Sequence, residues 1–157
     1  MKFKVDFQKA CAEETPLMEE FQEWIHSTAN IIKYEKKQAE VNIRAVGEKE
    51  MLYLNNTFRK TPTLTNVLSF PANLPKEIEI NLLGDIAICA PVVQEEATKL
   101  GKLEKAHWAH LTVHGMLHLI GYDHISEKES IKMESVEISV LANLGISNPY
   151  IQSAALE

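Results

Sequence analysis

The sequence predicts an α+β fold: one domain over residues 1–157, with a small mixed β-sheet of about four strands packed with helices. Three observations predict it. Apolar residues alternate at period two in several short N-terminal segments, then recur at helical spacing towards the C-terminus. No repeat, low-complexity tract or linker interrupts the chain. At 157 residues, folding buries roughly 68–70% of the unfolded surface, so a core forms without disulfide or metal staples.

Each element follows from its pattern. Phe3, Val5 and Phe7 alternate with Lys2, Lys4 and Asp6, which predicts a half-buried strand over 2–7. Thr15-Pro16 is expected to open a helix, because proline at the first helical position loses only an orphan N–H. Leu17, Phe21, Trp24, Ile25, Thr28 and Ile32 form its inner stripe. Residues 38–46 alternate again, with Val41, Ile43 and Ala45 on one face and Asn42 and Arg44 on the other. A second helix is expected over 48–58, with Met51, Leu52, Leu54 and Phe58 as apolar contacts. The loop KTPTLTN leads to a strand Val67–Phe70 that Pro71 stops. Beyond a loop marked by Pro75, a fourth strand runs from Leu82 to Ala90. Helices follow from Pro91 to Leu100, ended by Gly101, and from Leu103 to Ile120, ended by Gly121. The last starts at Ser126, where Ser-x-x-Glu with Glu129 forms a capping box. It turns Met133, Val136, Val140 and Leu144 inward and ends at Gly145.

Composition narrows the function. The apolar share is 45% and the charged share 24%, near the globular average. The net charge of −6 excludes a wholly basic nucleic-acid coat but not a local basic patch. Residues 1–70 carry ten basic and ten acidic residues, whereas 71–157 carry six and twelve, so a polyanion would meet the N-terminal half or a metal. Cys11 and Cys89 make no disulfide framework and suit a reducing compartment. With no secretory leader and no run of about 18 apolar residues, a soluble cytoplasmic protein is expected.

Six histidines are present, and His107, His110, His114, His118 and His124 crowd into one stretch. His114 and His118, four residues apart, project from one face of a helix, about 6 Å apart along its axis. Gly121 can take φ > 0, end that helix and turn the chain back, so that His124 closes a facial triad. Three imidazoles with an open fourth position form the catalytic zinc pattern, one Zn²⁺ per chain; nickel, copper or iron would also accept such a donor set. The spacing H-x-x-x-H-x-x-G-x-x-H is zincin-like, that of the metzincin proteases. Their general base is a Glu after the first His; here that position is Gly115, which leaves a metal-activated water or a residue from elsewhere.

The stretch His114-Gly-x-Leu-His118-Leu-x-Gly121-Tyr122-Asp123-His124 resembles the signature of the YbeY endoribonuclease and rRNA maturation factor family. Leu54-Asn55, Phe58-Arg59 and Thr65-Asn66-Val67-Leu68-Ser69-Phe70-Pro71 are similar to a second block of that family. Leu83-Gly84-Asp85-Ile86 through Cys89 is similar to a third, and Ala106-His107-Trp108-Ala109-His110 leads into the histidines as in relatives. The likeness covers roughly residues 40–150. It implies a metal-dependent endoribonuclease selective for single-stranded RNA, acting in 16S rRNA 3′-end maturation, ribosome quality control and assembly. The implied partners are single-stranded rRNA and the ribosome or small ribosomal subunit with its assembly proteins, and no membrane. The implied ligands are His114, His118 and His124, and the implied functional arginine is Arg59. Some members carry Asp where this chain has Asn66, which cannot act as a base.

Arg59 also has a reading of its own. A guanidinium before the KTPTLTN loop can bind a phosphate bidentately and stabilise charge on phosphorane oxygens, or simply favour a helix C-terminus. Lys60 extends that positive spot; Lys33, Lys36, Lys37 and Arg44 form another. Asp85, in an otherwise apolar strand, is expected to be a buried carboxylate needing a partner, either orienting a ligand histidine or capping an element. Asp123 is a ligand neighbour or a cap. His107 and His110 are supports of the site or substrate-contacting groups, or else solvated or core histidines, and His26 is incidental. Trp108 and Phe58 are expected in the core, and Tyr122 could stack a base. Two rival functions stand beside the nuclease: a non-catalytic ribosome-assembly factor with a structural metal, and a metzincin-like metallopeptidase, which Gly115 opposes.

Overall fold

The computed structural model describes residues 2–36, 38–75, 77 and 81–151. Its strands are β1 (Lys2–Ala10), β2 (Gln38–Val46), β3 (Val67–Pro71) and β4 (Leu82–Cys89). Its helices are α1 (Met18–Ile31), α2 (Glu48–Arg59), α3 (Ala90–Leu100), α4 (Glu104–Leu119) and α5 (Glu127–Asn143). The strands form one mixed sheet in the order β1-β2-β4-β3. β1 and β2 are parallel, as are β2 and β4, while the edge strand β3 runs antiparallel to β4. The expected α+β architecture is therefore the observed one.

The parallel pair β1/β2 needs a crossover, and α1 supplies it. The inward residues Phe3, Val5, Val41, Ile43, Ile86 and Ile88 meet Phe21 and Ile25 of α1, Trp108, Val113, Met116 and Leu117 of α4, and Met133, Val140 and Leu141 of α5 in one core. The Trp108 ring stands edge-on to Phe21, centroids 6.0 Å apart. Burying a large side chain of this kind contributes roughly 1.5–3 kcal/mol. On the other sheet face α2 covers one end only: its Met51 packs with Val46, Leu68, Ala87 and Cys89. This explains why β4 reads as an unbroken apolar run from Ile86 to Cys89, buried from both sides.

Several elements differ in detail from expectation. β1 continues to Ala10. α1 starts at Met18 and not at Pro16, because the Glu20 carboxylate accepts from the Leu17 N–H at 3.0 Å and sets the first turn there. Leu17, outside the helix, is exposed, as are Leu52 and Phe58 on the solvent side of α2. Ala90 belongs to α3, so helix follows strand without a gap. The capping box at Ser126 forms: the Glu129 N–H donates to its hydroxyl at 3.1 Å, and its own N–H donates to the Glu129 carboxylate at 3.3 Å.

α4 carries the candidate site and lies against both β3 and β4. The Ser69 hydroxyl of β3 donates to the Gly115 carbonyl at 2.9 Å. A Cβ at Gly115 would meet Ile86 Cγ2 at 2.9 Å and Ser69 Oγ at 3.2 Å. The helix can approach the sheet this closely only because residue 115 has no side chain. Among the described residues, no helix is long and apolar enough to cross a membrane.

Candidate functional site

The site forms where α4 ends. His114 and His118 lie one above the other on its open side, with their Nε2 atoms 3.1 Å apart. The helix stops at Gly121, whose φ of +107° is costly for any residue with a Cβ. The Gly121 and Tyr122 N–H groups donate back to the His118 and Leu117 carbonyls at 3.1 and 3.0 Å. That turn returns the chain, so the His124 ring sits 4.9 Å from His118 and 5.8 Å from His114 between centroids. Donor atoms of His118, Asp123 and His124 lie within 4.8 Å of one another. Asp123 also accepts from the His124 N–H at 2.7 Å, which holds the turn in shape.

Behind this cluster stands Glu137 of α5, fully buried. Its Oε2 accepts from His114 Nδ1 at 2.7 Å. Its Oε1 accepts from His110 Nε2 at 2.7 Å and from the Tyr150 hydroxyl. Burial alone would push this carboxyl up, but the bonds from His110, His114 and Tyr150 outweigh it and hold the pKa at about 2. Burial, then the neighbouring His114 and His124, pushes the His118 pKa down, so its ring favours the neutral form that binds metals.

The donor chemistry fits a divalent cation. A carboxylate only accepts, so the bond to Glu137 places the His114 proton on Nδ1 and leaves its Nε2 lone pair facing His118. Three imidazoles and the Asp123 carboxylate thus make a group rich in lone pairs. Nitrogen and carboxylate donors suit zinc.

Arg59 shares the cleft. It is the last residue of α2, donates from Nη2 to the Ser69 carbonyl at 2.7 Å, and lies 5.7 Å over the Phe70 ring. Arg59, Thr65, Asn66, Ser69, Tyr122, Asp123 and the three histidines line one cavity of about 530 Å³. Two segments more than forty residues apart in the chain therefore converge on one space.

The other sequence candidates divide. Asp85 is exposed, on the sheet face away from α4, and accepts from Asn42 Nδ2 at 2.9 Å. It therefore does not orient a ligand histidine: one residue of strand alternation separates it from the α4 side. Arg44 is held bidentately by Glu50 at 2.6 and 3.0 Å and does not belong to a free basic patch. Lys37 lies outside the described residues. His107 is buried, donating to Glu96 at 2.8 Å, and the same carboxylate oxygen accepts from Asn66 Nδ2 at 3.0 Å. Trp108 is core as expected, whereas Phe58 is exposed and stacked edge-on against Phe70.

Glu137, Glu96 and Tyr150 are the residues that sequence reasoning missed. The usable signal was Glu137 itself: it falls on the inward stripe of α5, four residues after Met133 and three before Val140, where an acid needs partners.

A mixed four-stranded sheet whose packed helix delivers a histidine cluster to an open cleft defines a small α+β protein. A family model described as Endoribonuclease YbeY matches residues 4–145, and the chain belongs to that family. It is 45% identical to the Endoribonuclease YbeY of Colwellia psychrerythraea over 154 residues, 97% of this chain and 99% of that protein. The solution structure of TM1509 from Thermotoga maritima shares the fold, with a TM-score of 0.58 and 24% identity over 94% of this chain and 99% of that one.

Proposed function

We propose that the protein is a metal-dependent endoribonuclease that cleaves single-stranded rRNA, in 16S 3′-end maturation and in ribosome quality control and assembly. The observation that carries this reading is the convergence of His114, His118, His124 and Arg59 on one cleft. Family membership supplies the reaction class.

In this reading His114, His118 and His124 would hold one Zn²⁺; Asp123 has a donor atom within 4.8 Å of those of His118 and His124, and His114 Nε2 lies 3.1 Å from His118 Nε2. The bound ion supplies Lewis acidity to the phosphodiester and its attacking oxygen. Glu137 keeps His114 in the tautomer that presents Nε2. Arg59, braced by the Ser69 carbonyl and the Phe70 ring, directs its remaining N–H donors at a phosphate and at the charge that grows on its oxygens. Gly115 speaks against the peptidase alternative: it carries no base, and even a Cβ there would meet Ile86 Cγ2 at 2.9 Å.

The test uses metal-free protein and the same protein reconstituted with zinc, each incubated with a labelled single-stranded rRNA 3′ fragment. A His114→Ala variant runs alongside to exclude a contaminating nuclease. Cleavage only by the zinc-loaded wild type is expected. One bound metal per chain without cleavage would overturn the nuclease reading in favour of an assembly factor.

A further inference from the structure

The chain beyond α5 folds back over Glu137, behind the site. Gly145 takes φ +79° and ends the helix. The Ile146 N–H donates to the Leu141 carbonyl at 2.8 Å, and the turn at Asn148 is closed by its side chain accepting from the Tyr150 N–H at 2.8 Å. Lys102, at the junction of α3 and α4, donates to the Pro149 carbonyl at 2.6 Å and fixes this strap. The strap lays the Tyr150 ring edge-on against His110, centroids 5.3 Å apart, and sends its hydroxyl to Glu137. The ring is partly open to solvent, but the hydroxyl ends on a carboxylate that is fully buried.

Glu137 consequently has both oxygens committed. Oε1 takes two donors, from His110 and Tyr150, and Oε2 takes His114 Nδ1–H. The two-donor side prevents the carboxylate from rotating, and the single bond on the other side fixes the His114 proton. If the carboxylate turned, His114 could carry its proton on Nε2, the nitrogen facing His118, and could no longer offer a lone pair there.

We infer that Glu137 and Tyr150 form a positioning relay, in which the C-terminal strap sets the tautomer and orientation of His114 and so the metal affinity of a site the strap does not touch. This rests on the metal-ligand reading of the three histidines. Neither residue is catalytic; both act through His114.

Two variants test it. Glu137→Gln keeps the shape but offers one acceptor where three donors arrive. The oxygen is drawn to the two-donor side, so the amide N–H₂ faces His114 and its proton moves to Nε2. Tyr150→Phe removes one donor at a position that tolerates the change. The tautomer of His114 is read in metal-free protein by long-range ¹H–¹⁵N correlation of the imidazole. Zinc affinity is read by chelator competition, and the melting temperature of the metal-free protein by calorimetry. The wild type is expected to show the Nδ1–H tautomer. Glu137→Gln should shift His114 towards Nε2–H and weaken zinc roughly 10–100-fold. Tyr150→Phe should weaken zinc several-fold with little change in melting temperature.

A wild-type His114 in the Nε2–H form would overturn the relay. So would variants that melt earlier but keep the wild-type tautomer and zinc affinity, since that is a purely structural role. A wild type that binds no zinc would instead overturn the ligand reading, and the tautomer shift in metal-free protein would still decide whether Glu137 sets His114.

Discussion

Two cavities of nearly equal size flank the sheet. One, about 530 Å³, lies at the end of α4 and holds the histidines and Arg59. The other, about 490 Å³, lies on the far sheet face among Asp6, Gln8, Asn42, Arg44, Asp85 and Phe58. Size does not separate them; the fate of their polar groups does. On the far face, acids, amides and the arginine pair with one another in solvent: Arg44 with Glu50 and Gln8, Asp85 with Asn42. At the end of α4, the acid that matters is buried, and it fixes the His114 imidazole, whose other nitrogen faces His118 in the cavity. A reactive site needs groups left free at one end and tied at the other. Only the first cavity has that arrangement.

The largest effect should come from forcing the first cavity towards protease chemistry. Gly115→Glu sets the base of a metallopeptidase at its sequence position but drives it into Ile86 and Ser69. Overpacking and an unpaired buried charge act together, so a loss of more than about 4 kcal/mol is expected in urea unfolding. A stable Gly115→Glu protein that hydrolyses casein would break the comparison, because the site would then tolerate what its packing forbids.

Arg59→Ala should come next. Removing a donor aimed at developing charge costs about 10²–10³ in rate. Its stability contribution is small, since the residue is exposed and the contact with Phe70 is worth about 1 kcal/mol or less. Asp85→Asn on the far face should leave cleavage of naked RNA within about twofold of wild type. Single-turnover rates on one labelled fragment measure both. Equal losses in the two variants would mean that RNA spans both faces.

The halves of the molecule were unequally legible. Period-two alternation located β1 and β2, an apolar run located β4, Pro71 bounded β3, and Gly121 announced the turn that brings His124 back. These are local signals: each is fixed by residues within one element. The i, i+4 histidine spacing likewise put His114 and His118 on one face of a helix, where their Nε2 atoms lie 3.1 Å apart. What failed was whatever depended on a second element. Asp85 was expected to be buried because its strand is apolar, yet only the α2 end of that sheet face is covered. Phe58 was expected in the core, but among the described residues no element covers it on that side of α2. Glu137 sits on an apolar stripe, and its partners arrive from α4 and from the strap, which the sequence does not place beside it.

Acid should act on the histidine side. Burial lowers the His107 pKa from its ordinary 6.5, assisted by His110 and Lys102 and opposed by Glu96. The folded state therefore binds this proton less readily than the unfolded state. Stability is complete above about pH 6.5 and falls as pH drops through that value, because the unfolded chain takes up a proton that the folded chain declines. Urea unfolding at pH 7.5 and 5.5 should show this loss, and His107→Gln should show less of it. An unchanged loss in the variant would assign the acid sensitivity to the other histidines.

The smallest effect belongs to the far face, and its probe is salt. Arg44 and Glu50 form a bidentate pair at 2.6 and 3.0 Å, but their side chains are 43% and 34% exposed. Water and ions screen such a pair, so Arg44→Ala should cost under about 1 kcal/mol at low ionic strength. That cost should shrink as salt rises and the Debye length falls from about 10 Å at 0.1 M to about 3 Å at 1 M. The same titration should barely change the stability contribution of Glu137, whose carboxylate is buried. A buried bond that weakens with salt as the Arg44 pair does would mean that water reaches Glu137, and that the strap over it opens.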